Sequence, residues 1–296
     1  MKQIETAALL CELCMKEDSP LALQKLKMIC RQIGHDMMRL SRLVPPDSFV
    51  IADTDYDGGQ IQLSKTTSRF CTRGRSLDQV VGRRRIRSAR KVEFLVIYDD
   101  SNSMTAWWRS EYLRRRIHEY ESPQTMAKIA LLSLLETFAK NASASIIFFG
   151  SKADAPSKSR NLSYRALVRM NGSGGTRLDE ALRVAIEKRW HRRGGRKYVV
   201  ILTDGVPEAG NEKDSEDSYI QSKAISYLDV MQKFGVRVLF SPILTDAKLA
   251  YKEYGEYNAR TFAQELRKRG ATVKITEKLA DLPVNVFTGV KEMISK

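Results

Sequence analysis

Apolar positions along the chain follow two regimes that meet near residue 91. Upstream the spacing is helical. Residues 3–17 read as an amphipathic helix, with its apolar positions three and four apart. Ser19-Pro20 then makes a helix start, with serine as cap and proline at the first position. Leu21, Leu23, Leu26, Met28 and Ile33 lie on or near one face, so a second helix runs toward Leu43 until Pro45-Pro46 stops it. Phe49–Ile51 and Ile61–Leu63 predict two short strands around an acidic turn.

From Val92 the regime changes. Val92–Tyr98 is nearly continuous apolar sequence, as in a strand covered on both faces. Further strands are predicted over Ser145–Phe149, Ala166–Met170, Tyr198–Leu202, Val236–Phe240 and Thr272–Ile275. Helices are predicted over Pro123–Lys140, Leu178–Trp190, Ser218–Phe234, 257–269 and 282–294. Strands and helices alternating at this spacing predict an α/β fold: a doubly wound, mostly parallel, six-stranded, Rossmann-like sheet. The expected organisation is a mainly helical module with a possible hairpin over 1–72, an Arg-rich arm over 73–91, and the α/β domain over 92–296.

The chain has 296 residues, with 43% hydrophobic and 29% charged, which is ordinary globular usage and excludes wholesale disorder. No apolar run reaches membrane-helix length. The first twenty residues carry acidic side chains within their apolar part, unlike a secretory leader. A cytoplasmic location without membrane association is the expectation. Charge alters the picture more. The formal balance is +15, and it is uneven. Residues 73–91 hold eight Lys and Arg against Asp78 alone, and residues 188–197 form a second basic stretch around Trp190 and His191. Such fields suit nucleic acid, an acidic protein face or anionic lipid. Aromatic residues interleave poorly with these runs, so no single-strand stacking platform is expected. Cys11-x-x-Cys14 with Cys30 and His35 offers a zinc site as one reading. Buried thiols in a helical module are the other.

The candidate chemistry lies beyond the strand ends, where open parallel sheets bind ligands. Asp99-Asp100-Ser101-Asn102-Ser103 follows the first strand of the α/β domain. Thr203-Asp204-Gly205 follows the strand over 198–202, and Gly172-Ser173-Gly174-Gly175-Thr176 precedes a helix. Together they offer carboxylates and hydroxyls but no His or Cys, a donor set for a hard cation such as Mg²⁺ (or Mn²⁺). Asp99, Ser101, Ser103, Thr176 and Asp204 are the candidate ligands. Gly174 and Gly175 allow their loop to turn sharply and approach closely.

These motifs resemble those of the von Willebrand factor A domain with its metal-ion-dependent adhesion site. That pattern is Asp-x-Ser-x-Ser, a distant Thr in a Gly-rich loop, then Asp-Gly after a strand. The resemblance covers about 92–296. It implies that the two serines and the threonine ligate the metal directly or nearly so, that the aspartates act often through water, and that a partner's acidic residue takes the sixth position. The stretches GSGGTRLDEAL and VVILTDGVP are similar to intracellular members: subunits of magnesium and cobalt chelatases, and proteins that work beside MoxR-type AAA+ ATPases. The chain itself has no Gly-x-x-x-x-Gly-Lys-Ser/Thr phosphate loop.

Other motifs are weaker. Asp53–Gly58 copies half of an EF-hand loop, but Ser64 stands where a bidentate Glu is needed. The same stretch echoes the Asp-rich motifs of Toprim and haloacid-dehalogenase enzymes without their other residues, so it reads as a turn. The histidines, His35, His118 and His191, have no Gly-x-Ser-x-Gly partner. The expectation is a non-enzymatic, metal-dependent interaction protein with an acidic partner, acting as an adaptor to an AAA+ ATPase of the MoxR or chelatase type. The alternative is a nucleic-acid-binding protein that uses the basic stretches 73–91 and 188–197.

Overall fold

The computed structural model describes residues 2–16, 19–41, 92–105, 122–138, 142–154, 174–192, 195–205, 207, 214–244 and 255–295. Two helices come first, α1 (Lys2–Lys16) and α2 (Pro20–Ser41). The α/β part runs β1 (Val92–Asp99), α3 (Pro123–Phe138), β2 (Ala142–Phe149), α4 (Leu178–Glu187), β3 (Arg196–Thr203) and α5 (Asp214–Lys233). It closes with β4 (Arg237–Pro242), α6 (Gly255–Lys268), β5 (Thr272–Val273) and α7 (Leu282–Ser295). Serine caps open two of these helices: the Ala22 N–H donates to Ser19 Oγ at 3.3 Å and the Thr125 N–H to Ser122 Oγ at 3.1 Å. A proline follows each cap, where its missing N–H is harmless.

The described strands form one five-stranded sheet in the order β2-β1-β3-β4-β5, and every pairing is parallel. The sixth strand expected over Ala166–Met170 lies outside the described residues, as do the hairpin of 49–63, the Asp53–Gly58 turn and the 73–91 stretch. Alternation with period two sends side chains to opposite faces of the sheet. Phe94, Val96, Tyr98, Tyr198, Val200 and Leu202 face a core shared with α1, α2, α3 and α7. Leu95, Ile97, Val199, Ile201, Val238 and Phe240 face a second core with α4, α5 and α6.

Among the boundaries that differ from the sequence reading, three have a clear physical reason. Strand β2 starts at Ala142, not Ser145; among the described strands it is at an edge and its first four residues are half-buried, so their small and polar character hides them. Helix α4 ends at Glu187 because Arg189 adopts a left-handed backbone (φ 52°), and a 3₁₀ turn over Trp190–Arg192 follows. Helix α5 begins at Asp214, four polar residues earlier than its apolar periodicity announced.

Helices α1 and α2 pack on the α/β part. Gly34 of α2 meets α3 so closely that a Cβ there would lie 2.0 Å from Thr137 Oγ1 and 2.7 Å from the Ser133 carbonyl. Arg31 pairs with Glu136 at 2.8 Å across the same contact. Helix α3 therefore lies between sheet and helix pair, which accounts for its burial on nearly every side.

Candidate metal site

The sheet order places β2 on one side of β1 and β3 on the other, so connections leave in opposite directions at the carboxyl ends of β1 and β3. That is the crevice where open α/β sheets take ligands. Asp99 is the last residue of β1 and Asp204 follows the last residue of β3; both are fully buried.

A hydrogen-bonded chain joins four of the five expected ligands. The Ser101 N–H donates to Asp99 Oδ1 at 2.8 Å, which curls the loop back over its own strand end. Ser101 Oγ and Ser103 Oγ lie 3.0 Å apart, and Ser103 Oγ donates to Asp204 Oδ1 at 2.7 Å. The 3₁₀ turn over Asn102–Met104 holds both hydroxyls on the same side of the loop. Thr176, the fifth, is buried in the neighbouring glycine-rich loop. That loop is tied to the first by the Asn102 N–H donating to the Gly174 carbonyl at 3.4 Å. Gly174 has φ +73°, and a Cβ on it would lie 2.0 Å from Ser151 Oγ. Ser151 in turn accepts from the Gly175 N–H at 2.9 Å. Glycine is thus required at 174 both for its backbone sign and for space.

Thr203 was given no role in the sequence reading. Its hydroxyl donates to Asp99 Oδ2 at 2.5 Å and accepts from the Gly205 N–H at 3.1 Å. Thr203 thereby fixes both the carboxylate and the Asp204-Gly205 turn. The signal was in plain view, since a hydroxyl at the final strand position beside Asp204 is placed to orient its neighbours. Beneath the rim, Gln124 donates to Asp100 Oδ1 at 3.3 Å and Tyr98 donates to the Gln124 carbonyl at 3.2 Å. Burial raises the Asp100 carboxyl to about 6, opposed by Lys128, which is completely buried in the same helix.

The electrostatics favour a cation. Burial, then the nearby Asp204 charge, pushes the Asp99 carboxyl up to about 7, while hydrogen bonds from Thr203 and Ser101 pull the other way. Two carboxylates enclosed together repel unless a proton or a metal ion intervenes. Among the described residues no three His, Cys, Asp or Glu gather as a metal cluster. An ion at this rim therefore needs the hydroxyls, and two carboxylates with three hydroxyls form an all-oxygen set suited to a hard divalent ion.

Cys11, Cys14 and Cys30 are buried and outside any disulfide. Burial pushes the Cys11 thiol up to about 12 and raises Cys30 well above its usual value, and among the described residues, these three cysteines and His35 included, no three His, Cys, Asp or Glu gather to hold a metal. His35, the fourth ligand of that reading, is exposed.

Among solved structures, this fold is similar to the PilB minor pilin from Streptococcus sanguinis at 15% identity and TM-score 0.51. A single-substitution form of that pilin gives 16% and 0.51. Each match takes in 71% of this chain and 62% of the pilin, so the chain spans about three-fifths of that protein's length. The conserved hypothetical protein BatB from Bacteroides thetaiotaomicron matches at 15% identity and TM-score 0.48, over 69% of this chain and all of that one. No curated protein matches the chain. Residues 94–206, which span the rim from β1 through Asp204, match the family model of the von Willebrand factor type A domain.

Proposed function

We propose that this chain is a non-enzymatic, metal-dependent interaction protein that binds Mg²⁺ (or Mn²⁺) through Asp99, Ser101, Ser103, Thr176 and Asp204. The ion would supply an electrophilic centre for a carboxylate of an acidic partner. The observation that carries the reading is the Ser101–Ser103–Asp204 hydrogen-bonded chain at the carboxyl ends of β1 and β3. A divalent ion balances two carboxylates, so the loaded site has no net charge to repel a third. A cavity of about 360 Å³ lined by Asp100, Phe149, Ser151, Lys152, Asp154 and Gly174 opens beside the rim and gives room to side chains that flank the captured carboxylate.

The similarity of the glycine-rich and Thr-Asp-Gly stretches to chelatase subunits and MoxR-associated proteins supports an adaptor role beside an AAA+ ATPase in the cytoplasm. Among the described residues no helix is long and apolar enough to cross a membrane. The test has two stages on the full chain. Calorimetric titration with Mn²⁺ is expected to give one site, abolished by Asp204→Ala. Capture of an AAA+ partner is then expected only with metal present. One-site binding that survives Asp204→Ala, or capture that survives both EDTA and Asp99→Ala, overturns the reading.

A further inference from the structure

The opposite, amino end of the sheet carries a cationic surface. Arg196 opens β3, the turn leading into it bears Lys188, Arg189 and Arg192, and Lys233 ends α5 beside them. All five are exposed, and among the described residues none joins an ion pair. The acidic residue of this run, Glu187, is already engaged by Arg183 at 2.5 Å. Cations at the ends of α4 and α5 offset helix dipoles, but two helix ends amount to roughly one charge in total. Most of the surface charge is left over.

Packing draws these residues into one patch. Trp190 and His191 are buried and anchor the turn. Lys197 is equally buried and satisfied elsewhere, by Glu93 at 2.8 Å and by the Trp190 ring at 4.8 Å. The His191 ring stands edge-on to Phe234 with centroids 4.7 Å apart, and the Arg192 guanidinium lies 5.4 Å from the Phe234 centroid. Phe234 remains 51% exposed. Trp190, the aromatic residue within the basic stretch, is buried, and the fold brings an exposed one, Phe234, from the residue that follows α5. Arg189 has a left-handed backbone at a solvent-facing position where glycine would be unstrained, and so presents a long cationic side chain at a turn that glycine would fit more easily. Val92 is in register with Arg196. The Arg-rich sequence that ends at Lys91 is thus covalently joined to the fold at this same end.

We propose that this surface binds single-stranded nucleic acid, with Lys188, Arg189, Arg196 and Lys233 on phosphates and the Phe234–Arg192 pair as the platform for an unpaired base. Separate cations without interleaved carboxylates match a repeating phosphodiester backbone. An exposed ring beside a guanidinium is the surface on which bases stack. An acidic peptide has no use for that ring, and one phenyl group gives a lipid surface little to hold. The site lies at the other end of the sheet from the metal rim and does not depend on it.

The test titrates the full chain into a labelled single-stranded oligonucleotide at several salt concentrations. Log affinity is expected to fall linearly with log salt, by about 0.7 per phosphate engaged. The triple variant K188E/R192E/R196E is expected to weaken binding by at least ~30-fold with a shallower salt slope, and Phe234→Ala by about tenfold. Arg189→Gly relieves the backbone, so it is expected to keep or raise the melting temperature while lowering affinity several-fold, which separates lost contact from lost fold. EDTA is expected to change nothing. The proposal is overturned if the folded triple variant binds as tightly as the parent, or if EDTA abolishes binding. It is also overturned if polyglutamate or anionic vesicles compete as well as the oligonucleotide at equal charge.

Discussion

Ser103 Oγ donates a 2.7 Å hydrogen bond to Asp204 Oδ1, joining the loop after β1 to the loop after β3 across the sheet's switch point. A hydroxyl carries one donor and two acceptor lone pairs. Ser103 can therefore hold Asp204 in place and offer an oxygen to a cation at the same time. The hydrogen bond preorganises the two loops, so little ordering is left for the ion to impose. Ser103→Ala removes both functions while deleting only one half-buried hydroxyl. Mg²⁺ affinity is expected to drop about 10–100-fold, with the melting temperature of the metal-free protein changed little. A Ser103→Ala protein that binds Mg²⁺ as tightly as its parent would remove this residue from the ligand set.

Asp99 gives the site a pH dependence whose sign follows from its surroundings. Its carboxyl sits at about 7 in the folded chain against an ordinary 3.8, through burial first and Asp204 second. The folded state thus holds a proton that the unfolded state has released between these values, and without metal stability falls as pH rises through that window. A divalent ion replaces the proton. The stabilisation by saturating Mg²⁺ is therefore expected to be large near about pH 8 and to fade below about pH 6. Melting curves with Mg²⁺ or EDTA across this range measure it. A metal effect independent of pH would show that Asp99 does not ionise on binding.

The relationship between sequence and structure is uneven across the molecule. Strands β1 and β3 were legible because central parallel strands are covered on both faces and become continuous apolar runs. The rim was legible because each candidate ligand follows a strand or precedes a helix. What stayed hidden was long-range. Gly34 reads as an ordinary helix interruption, and only the approach of α3 explains it. Phe234 reads as the last residue of an apolar stripe, and only the fold brings it to Arg192. Lys128 reads as a polar-face residue of α3. It is buried because helices α1 and α2 pack on the side of α3 away from the sheet, a packing that local periodicity does not encode.

Gly34 tests that packing directly. In an exposed helix interior, Gly→Ala stabilises by roughly 1 kcal/mol. Here the added methyl meets Thr137 Oγ1 at 2.0 Å and the Ser133 carbonyl at 2.7 Å, and the backbone oxygen cannot swing away. Gly34→Ala is expected to destabilise by about 1–3 kcal/mol in chemical denaturation. Adding Thr137→Ala is expected to recover only part of the loss, since the carbonyl contact remains. Stabilisation by Gly34→Ala would mean that α2 does not rest on α3.

At the other end of the sheet, Glu93 and Lys197, the second residues of β1 and β3 and in register, form an ion pair at 2.8 Å, with the lysine also 4.8 Å from the Trp190 ring centre. Both side chains are largely buried, at 12% and 3% exposure. The two charges are worth little as a pair compared with a well-packed apolar replacement, because each was taken out of water to make it. Breaking the pair is another matter. Glu93→Ala leaves an ammonium group enclosed beside a tryptophan face, and the expected loss is about 3–5 kcal/mol. The double variant Glu93→Leu/Lys197→Met keeps volume and removes both charges, and it is expected to recover most of that loss. Denaturant titrations of the single and double variants form a thermodynamic cycle whose coupling term isolates the pair. A double variant no more stable than Glu93→Ala would locate the energy in the Lys197–Trp190 contact instead, and would tie the strength of this corner to the turn that carries the cationic surface.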